Sequence, residues 1–586
     1  MRPAPVVTIA LLAACGHPLG GPTPVPAPPT AVVPVPVPPA RALWPSTWAL
    51  ADSAKAVTAP HAMVVTGHPL ATLVGRLVLE QGGNAIDAAV AVGFALAVVL
   101  PDAGNLGGGG FIVYRDTAGV VQALDYREAA PLAATRNMYL DSAGNPTEAS
   151  ITGHLAAGVP GSVAGMHEAW RRYGRLPWAA LIAPAIGLAE GHVLDEQRSH
   201  SIGWDAERLA QFPASAAQFL VDSQAPAAGT VFRQPDLART LRLIADSGPA
   251  AFYHGRIADL IVAEMKRGHG LITKNDLASY TPRWRIPIKI GYRGYTVYSM
   301  PPASSGGVTM GEILNILEGY DSLPAFGSTA LLHLEAEAMR RAFMDRNLWL
   351  GDPDFVPIPL ERLLSKSYAA ELRAQIAPDR ATPTPPFTTT AGGGPNTTHY
   401  SIVDAQGEAV AVTTTLNNGF GSAVTVTGAG FLLNDEMDDF ASAPGKPNMY
   451  GLVQGEANAI APGKRMLSAM TPTIVLDPQG RLFLVVGSPG GPRIITSVYH
   501  VISNVIDHHL SLAEAVAAPR LHHQALPDTV ALEEGGFDVA VMDSLRGMGY
   551  GVREWGYHGL VMAIERDSAG WIGVADPRSG GSAAGY

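Results

Sequence analysis

At Thr397 the chain passes from a stretch that suits neither helix nor sheet into one that reads as a strand. Ala381 to Pro395 is rich in Gly, Pro and Thr, whereas Thr398-His399-Tyr400-Ser401-Ile402-Val403 alternates and favours a pleated backbone. A threonine at that boundary has two readings. β-Branched residues commonly open strands. If the chain is cut just before it, the same residue carries both a hydroxyl and a new α-amino group, the adjacent base that a weak alcohol nucleophile needs. The pentapeptide Asn396-Thr397-Thr398-His399-Tyr400 does not by itself choose between them.

Strand signals continue after Thr397. Thr398 to Asp404 and Ala409 to Leu416 read as a hairpin around Ala405-Gln406-Gly407, with further strands at Gly430 to Leu433, Thr471 to Leu476 and Leu482 to Val486. Helices follow at Arg493 to His508 and Leu510 to Ala517. Before Thr397, a strand at His61 to Thr66 leads to a helix from Ala71 to Gln81. Gly82-Gly83-Asn84 then caps an apolar helix. Gly104 to Gly110 opens a strand at Phe111 to Tyr114 whose partner is Val120 to Asp125, and residues from about Pro160 to Asp345 read as mostly helical. Strands that pack on one another and are covered by helices predict a layered α/β sandwich.

With 586 residues, 47% hydrophobic and 16% charged, the chain can bury a large core. Its net charge of −11, without a basic run, excludes a nucleic-acid binder of the usual kind. The single cysteine, Cys15, excludes an intramolecular disulfide and any cysteine-based metal site. Arg2, an apolar run and Leu12-Ala13-Ala14-Cys15 have the plan of a secretory signal. Its end resembles the lipobox of bacterial lipoproteins, which implies lipidation of Cys15, a signal over residues 1–14 and retention at the outer membrane facing the periplasm. Residues 15–43 are rich in Pro, Val, Ala and Gly and read as a semi-rigid tether. No later segment has the apolar length of a membrane span.

The glycine loops do not suit phosphate. Gly104 to Gly110 precedes a strand rather than a helix, and Gly463-Lys464-Arg465 lacks the Ser/Thr of a P-loop. Close backbone approach is the better reading. The pairs His508-His509 and His522-His523 lack the i, i+4 spacing of a metal helix, so neither a metal nor another cofactor is expected. Gly487-Ser488-Pro489-Gly490-Gly491 joins an apolar strand to an apolar helix. It is either a plain turn or an oxyanion site built from backbone N–H groups.

Together these segments resemble the γ-glutamyltranspeptidases, which are N-terminal-nucleophile hydrolases. The resemblance runs from about His61 to Tyr586 and rests on Gly82 to Ala89, Gly104 to Gly108, Asp125-Tyr126-Arg127-Glu128, Thr397 to Tyr400, Asn434 to Phe440, Gly487 to Gly491 and Asp576-Pro577-Arg578. It implies a four-layer αββα sandwich built from both halves of a self-cleaved precursor, with residues 44–396 as large and 397–586 as small subunit. It also implies that Thr397 attacks the γ-carbonyl of a glutamyl amide such as glutathione, and that water or an amino-acid or peptide amine resolves the acyl-enzyme. Thr415 matches the threonine that hydrogen-bonds the nucleophile, and Gly490 and Gly491 match the oxyanion donors. Arg127 and Ser468 match the residues that hold the substrate's α-carboxylate, and Asn417, Glu436 and Asp439 those that hold its α-ammonium. Pro444 to Gly455, with Tyr450, matches a lid.

One position departs from the pattern: the family commonly has two serines where this chain has Ser468-Ala469. That leaves open a related acylase acting on glutaryl-cephalosporin or poly-γ-glutamate, and, in a different class, an unprocessed binding lipoprotein. Intact Thr397, Thr415 and the glycine pair argue against the last.

Overall fold

The computed structural model describes residues 43–384 and 397–586. Cys15, the signal, most of the tether and Asn396 lie outside the described residues. Two seven-stranded sheets dominate, both antiparallel throughout. The first runs, in order across the sheet, Ser582–Gly585, Met63–Thr66, Thr397–Val403, Ala409–Thr415, Gly109–Arg115, Val121–Asp125 and Arg283–Arg285. The second runs Ala56–Ala59, Trp571–Ala575, Met562–Arg566, Leu482–Gly487, Thr473–Leu476, Tyr295–Ser299 and Ile288–Tyr292.

The period of two along each strand explains how the layers stack. Met63, Val65, Val403 and Ala411 of the first sheet meet Ile474, Val485, Met562 and Ile564 of the second in one buried cluster. Intervening residues point outward. Val64, Tyr400, Ile402 and Val412 pack under the helices Pro69–Glu80, Ala85–Val99 and Trp178–Glu190. On the far side Val475, Leu484 and Val486 pack under Gly306–Glu318, Thr329–Trp349 and Arg493–Ile506. The result is the expected αββα order.

Local signals account for several of these elements. Asn84 caps Ala85–Val99 through a reciprocal box with Asp87, as its place after two glycines suggested. Asp87 also accepts backbone N–H bonds from Arg175 and Leu176, which ties this helix to the end of the next one. Because Ala85–Val99 is apolar on every face, it is buried almost end to end.

Two expectations need correction. The stretch read as mostly helical up to Asp345 contains Arg283–Arg285, Ile288–Tyr292 and Tyr295–Ser299, which supply an edge strand of one sheet and two strands of the other. The alternate burial of Ile288, Ile290 and Tyr292 against exposed Lys289 and Gly291 carries the signal, but it spans only five residues. Gly430 to Leu433 is not a strand. It makes only isolated bridges, because Gly430, at φ +74°, turns the chain there. No helix among the described residues is long and apolar enough to cross a membrane.

Candidate active site

Thr397 heads its strand and stands opposite Thr415, the last residue of the neighbouring strand. Its hydroxyl donates to Thr415 Oγ1 at 3.2 Å, and that oxygen also accepts the Asn417 N–H at 2.8 Å. Both threonines are buried. Thr415 is held in turn by Asn105, whose Nδ2 donates to the Thr415 carbonyl at 2.9 Å and whose Oδ1 accepts the Gly108 N–H at 3.1 Å. A Cβ on Gly108 would lie 2.1 Å from the Thr415 carbonyl oxygen. The glycine loop is therefore a close-approach brace for Thr415 and not a phosphate cradle, as its position before a strand suggested.

Behind the nucleophile, His399 points between the sheets. Its Nδ1 lies 2.8 Å from Thr413 Oγ1, and burial pushes the imidazole down to about 3, so it is neutral at ordinary pH. The ring abuts Gly487, where a Cβ would come within 2.2 Å of it. This contact aligns the first sheet with the turn that follows Gly487.

That turn carries the two glycines. Gly490 (φ +134°) and Gly491 (φ +57°) adopt backbone conformations that side chains resist, and they lead into Arg493–Ile506. Ser488 fixes the turn by donating to the Pro489 carbonyl at 2.7 Å and accepting the Leu560 N–H at 2.9 Å. A small cavity joins Gly491 to Thr397, Thr415, Asn417, Arg127, Asp439, Ser468 and Ala469. Gly490 is not on its wall; it packs instead against Gly559.

Arg127 enters from the part of the chain that precedes Thr397. Its guanidinium is fully buried and crowded by carboxylates: Glu436 Oε2 at 2.5 Å, Glu128 Oε2 at 3.5 Å, and Asp439 in direct contact. The groups expected to grip opposite ends of a zwitterion thus grip each other. Burial raises the Glu128 carboxyl to about 7, although Arg127 opposes the shift. Glu436 sits behind Arg127 rather than on the cavity wall. Asn434 anchors this acidic segment, accepting the Glu436 N–H at 3.1 Å and donating to the Gly107 carbonyl at 2.7 Å. The Ser468 hydroxyl accepts the Met470 N–H at 3.1 Å and keeps its own proton to donate.

Tyr450 covers the cavity. Its hydroxyl lies 3.0 Å from the Asn417 carbonyl oxygen and 2.9 Å from Asn417 Oδ1, and its ring lies against Gly491. Asp438 pins the same loop through the Met449 N–H at 3.1 Å. The segment carrying Tyr450 thus lies directly against the cavity in this structure. Three contributors were not foreseen: Glu128 beside Arg127, Asn105 behind Thr415, and Arg346 on the cavity wall. Glu128 and Asn105 lie inside motifs quoted above, but an isolated polar letter carries no sign of its partner.

Among the described residues no cluster of His, Cys, Asp or Glu could hold a metal ion. Thr397 also borders a larger cavity of ≈ 730 Å³, which opens between Leu100, Arg198, Trp204, Tyr557 and Met562.

Two facing antiparallel sheets under outer helices, with a threonine at the head of a central strand, define the fold and site of an N-terminal-nucleophile hydrolase. The family profile described as gamma-glutamyltranspeptidase matches residues 71–586, and the chain belongs to that family. A glutathione hydrolase proenzyme of Pseudomonas sp. (strain A14) is 51% identical over 494 residues, covering 82% of this chain and 85% of that one. The glutathione hydrolase proenzyme of Escherichia coli (strain K12) is 46% identical, covering 89% and 91%. Among solved structures, a cephalosporin acylase from Bacillus halodurans superposes with a TM-score of 0.81 at 30% identity, covering 91% and 97%.

Proposed function

We propose that this chain is the precursor of a γ-glutamyltransferase and glutathione hydrolase that cuts itself before Thr397. The observation that carries the reading is that one cavity is lined together by Thr397, Arg127, Asp439 and Gly491. Arg127 offers a planar fork for an α-carboxylate, and Asp439 with Asn417 offers acceptors for an α-ammonium. A glutamyl head seated there brings its γ-carbonyl to Thr397. The free α-amino group of Thr397 takes the hydroxyl proton as Oγ1 attacks, and backbone N–H groups of the Gly490-Gly491 turn stabilise the oxyanion. Collapse expels the protonated amine and leaves an ester on Thr397. Water or an acceptor amine then displaces Thr397 Oγ1 by the same route.

The test is turnover of glutathione against glutaryl amides, with and without a dipeptide acceptor. Glutathione should be cleaved and the dipeptide should gain a γ-glutamyl group. Faster cleavage of the glutaryl amide would replace this reading with an acylase. Ala469, at the cavity wall, and the likeness to a cephalosporin acylase favour that second reading.

The lipobox-like Leu12-Ala13-Ala14-Cys15 supports attachment by an N-terminal lipid to the outer membrane, facing the periplasm. Cys15→Ser should move the protein from the membrane fraction to the soluble fraction. Unchanged membrane association would refute the anchor.

A further inference from the structure

The helix Thr329–Trp349 buries three arginines, and one of them is unlike the others. Arg341 Nη1 lies 2.6 Å from Glu337, and Arg340 Nη2 lies 2.7 Å from Asp528. Arg346 is only 2% exposed, yet its hydrogen bonds go to neutral oxygens. Nε donates to Ser305 Oγ at 3.2 Å, and Nη1 donates to Asn347 Oδ1 at 3.0 Å and Gln454 Oε1 at 3.1 Å. Among the described residues it is in no ion pair. A buried cation without a paired anion is costly and persists where something charged meets it.

Its surroundings say what that could be. Arg346 lines the same small cavity as Thr397, Asp439, Ser468 and Ala469. Arg127, across the cavity, already carries three carboxylates. An anion arriving at Arg127 alone would meet like charges, whereas at Arg346 it would meet a guanidinium that hydrogen-bonds only to neutral groups and is attracted by, but not paired to, Asp439. Arg346 also connects both sides of the pocket. Ser305 Oγ donates to the Ser468 carbonyl at 2.7 Å, and Gln454 Nε2 donates to the Asp439 carbonyl at 3.0 Å.

We propose that Arg346 is a donor-binding residue: together with Arg127 and the Ser468 hydroxyl it receives the substrate's α-carboxylate, leaving Asp439 for the α-ammonium. The proposal rests on the γ-glutamyl reading above. It also accounts for Ala469, because guanidinium N–H groups take the place of a second serine hydroxyl.

The experiment compares wild type, Arg346→Gln and Arg346→Lys on γ-glutamyl p-nitroanilide and on 4-aminobutyryl p-nitroanilide, which lacks only the α-carboxylate. Self-cleavage is scored in parallel. For Arg346→Gln, KM for the γ-glutamyl donor should rise about 10- to 100-fold, the range of a lost charged hydrogen bond. Its kcat should change little, and kcat/KM for 4-aminobutyryl anilide should match wild type. Arg346→Lys keeps the charge but loses the fork, so it should show a smaller defect confined to the γ-glutamyl donor. It also serves if the glutamine variant does not fold. Adding Ala469→Ser should restore part of the lost affinity. Equal losses on both donors, or none, would overturn the assignment in favour of a purely structural arginine. A wild type inactive on γ-glutamyl anilide would instead overturn the γ-glutamyl reading, so the two failures are distinct.

Discussion

Thr397→Ala should leave the protein as one uncut chain and reduce γ-glutamyl turnover by at least about 10³-fold, the scale of losing a covalent nucleophile. Both effects follow from one oxygen. In self-cleavage Oγ1 attacks the preceding carbonyl carbon, moving the acyl group from nitrogen to oxygen and freeing the Thr397 amine; water then hydrolyses the ester. The Thr415 hydroxyl at 3.2 Å and its bond from the Asn417 N–H hold that oxygen in place for either reaction. Thr397→Ser keeps the hydroxyl and should still yield two fragments, though more slowly. Electrophoresis and N-terminal sequencing decide the matter. A small fragment beginning anywhere other than Thr397, or an uncut chain with full activity, would refute it.

Arg127→Ala should separate the two reactions that Thr397→Ala abolishes together. Removing the guanidinium leaves the buried Glu128 and Glu436 and the partly buried Asp439 side by side without their ion-pair partner. Breaking a buried pair in this way costs about 3–5 kcal/mol, or roughly 10²- to 4 × 10³-fold in an equilibrium or rate. Much of that can be relieved if the carboxyls take up protons, since burial already raises the carboxyls of Glu128, Glu436 and Asp439. The fold and the cut before Thr397 should therefore persist. Turnover of γ-glutamyl anilides should not, because the α-carboxylate loses the Arg127 fork and the α-ammonium loses its ionised partner. Equal loss of cleavage and turnover would show that Arg127 serves the fold rather than the donor.

Legibility in the sequence tracked the range over which each signal acts. The Asn84 cap, the strand after Thr397 and the glycine turn after Gly487 are decided within a few residues, and all three stand where they were expected. The second sheet was harder. Its Ile288–Tyr292 and Tyr295–Ser299 strands lie in a helical region, and the Thr473–Leu476 strand they join is more than 170 residues away. For the site, family motifs named Thr397, Arg127 and Asp439, and the structure brings them to one cavity. The mutual pairing of Arg127 with three acids could not be read from motifs, since Arg127, Glu436 and Asp439 had been matched to substrate charges and Glu128 to no role at all. Arg346 left no trace at all: an arginine near the end of a helix usually faces water, and only the packing reveals that this one does not.

The first sheet has a consequence beyond catalysis. The strand that begins at Thr397 lies between Met63–Thr66, from before the expected cut, and Ala409–Thr415, from after it. The next strand outward, Gly109–Arg115, again comes from before it. Cutting at Thr397 therefore divides no domain; it splits one woven layer between two polypeptides. The precursor can find this arrangement within a single molecule, where loop closure limits the search. The processed form, once fully unravelled, has to recover it by an encounter between two separate chains. Maturation thus works like a ratchet: it exposes the working amine and at the same time makes the route back to the fold harder than the route that first produced it.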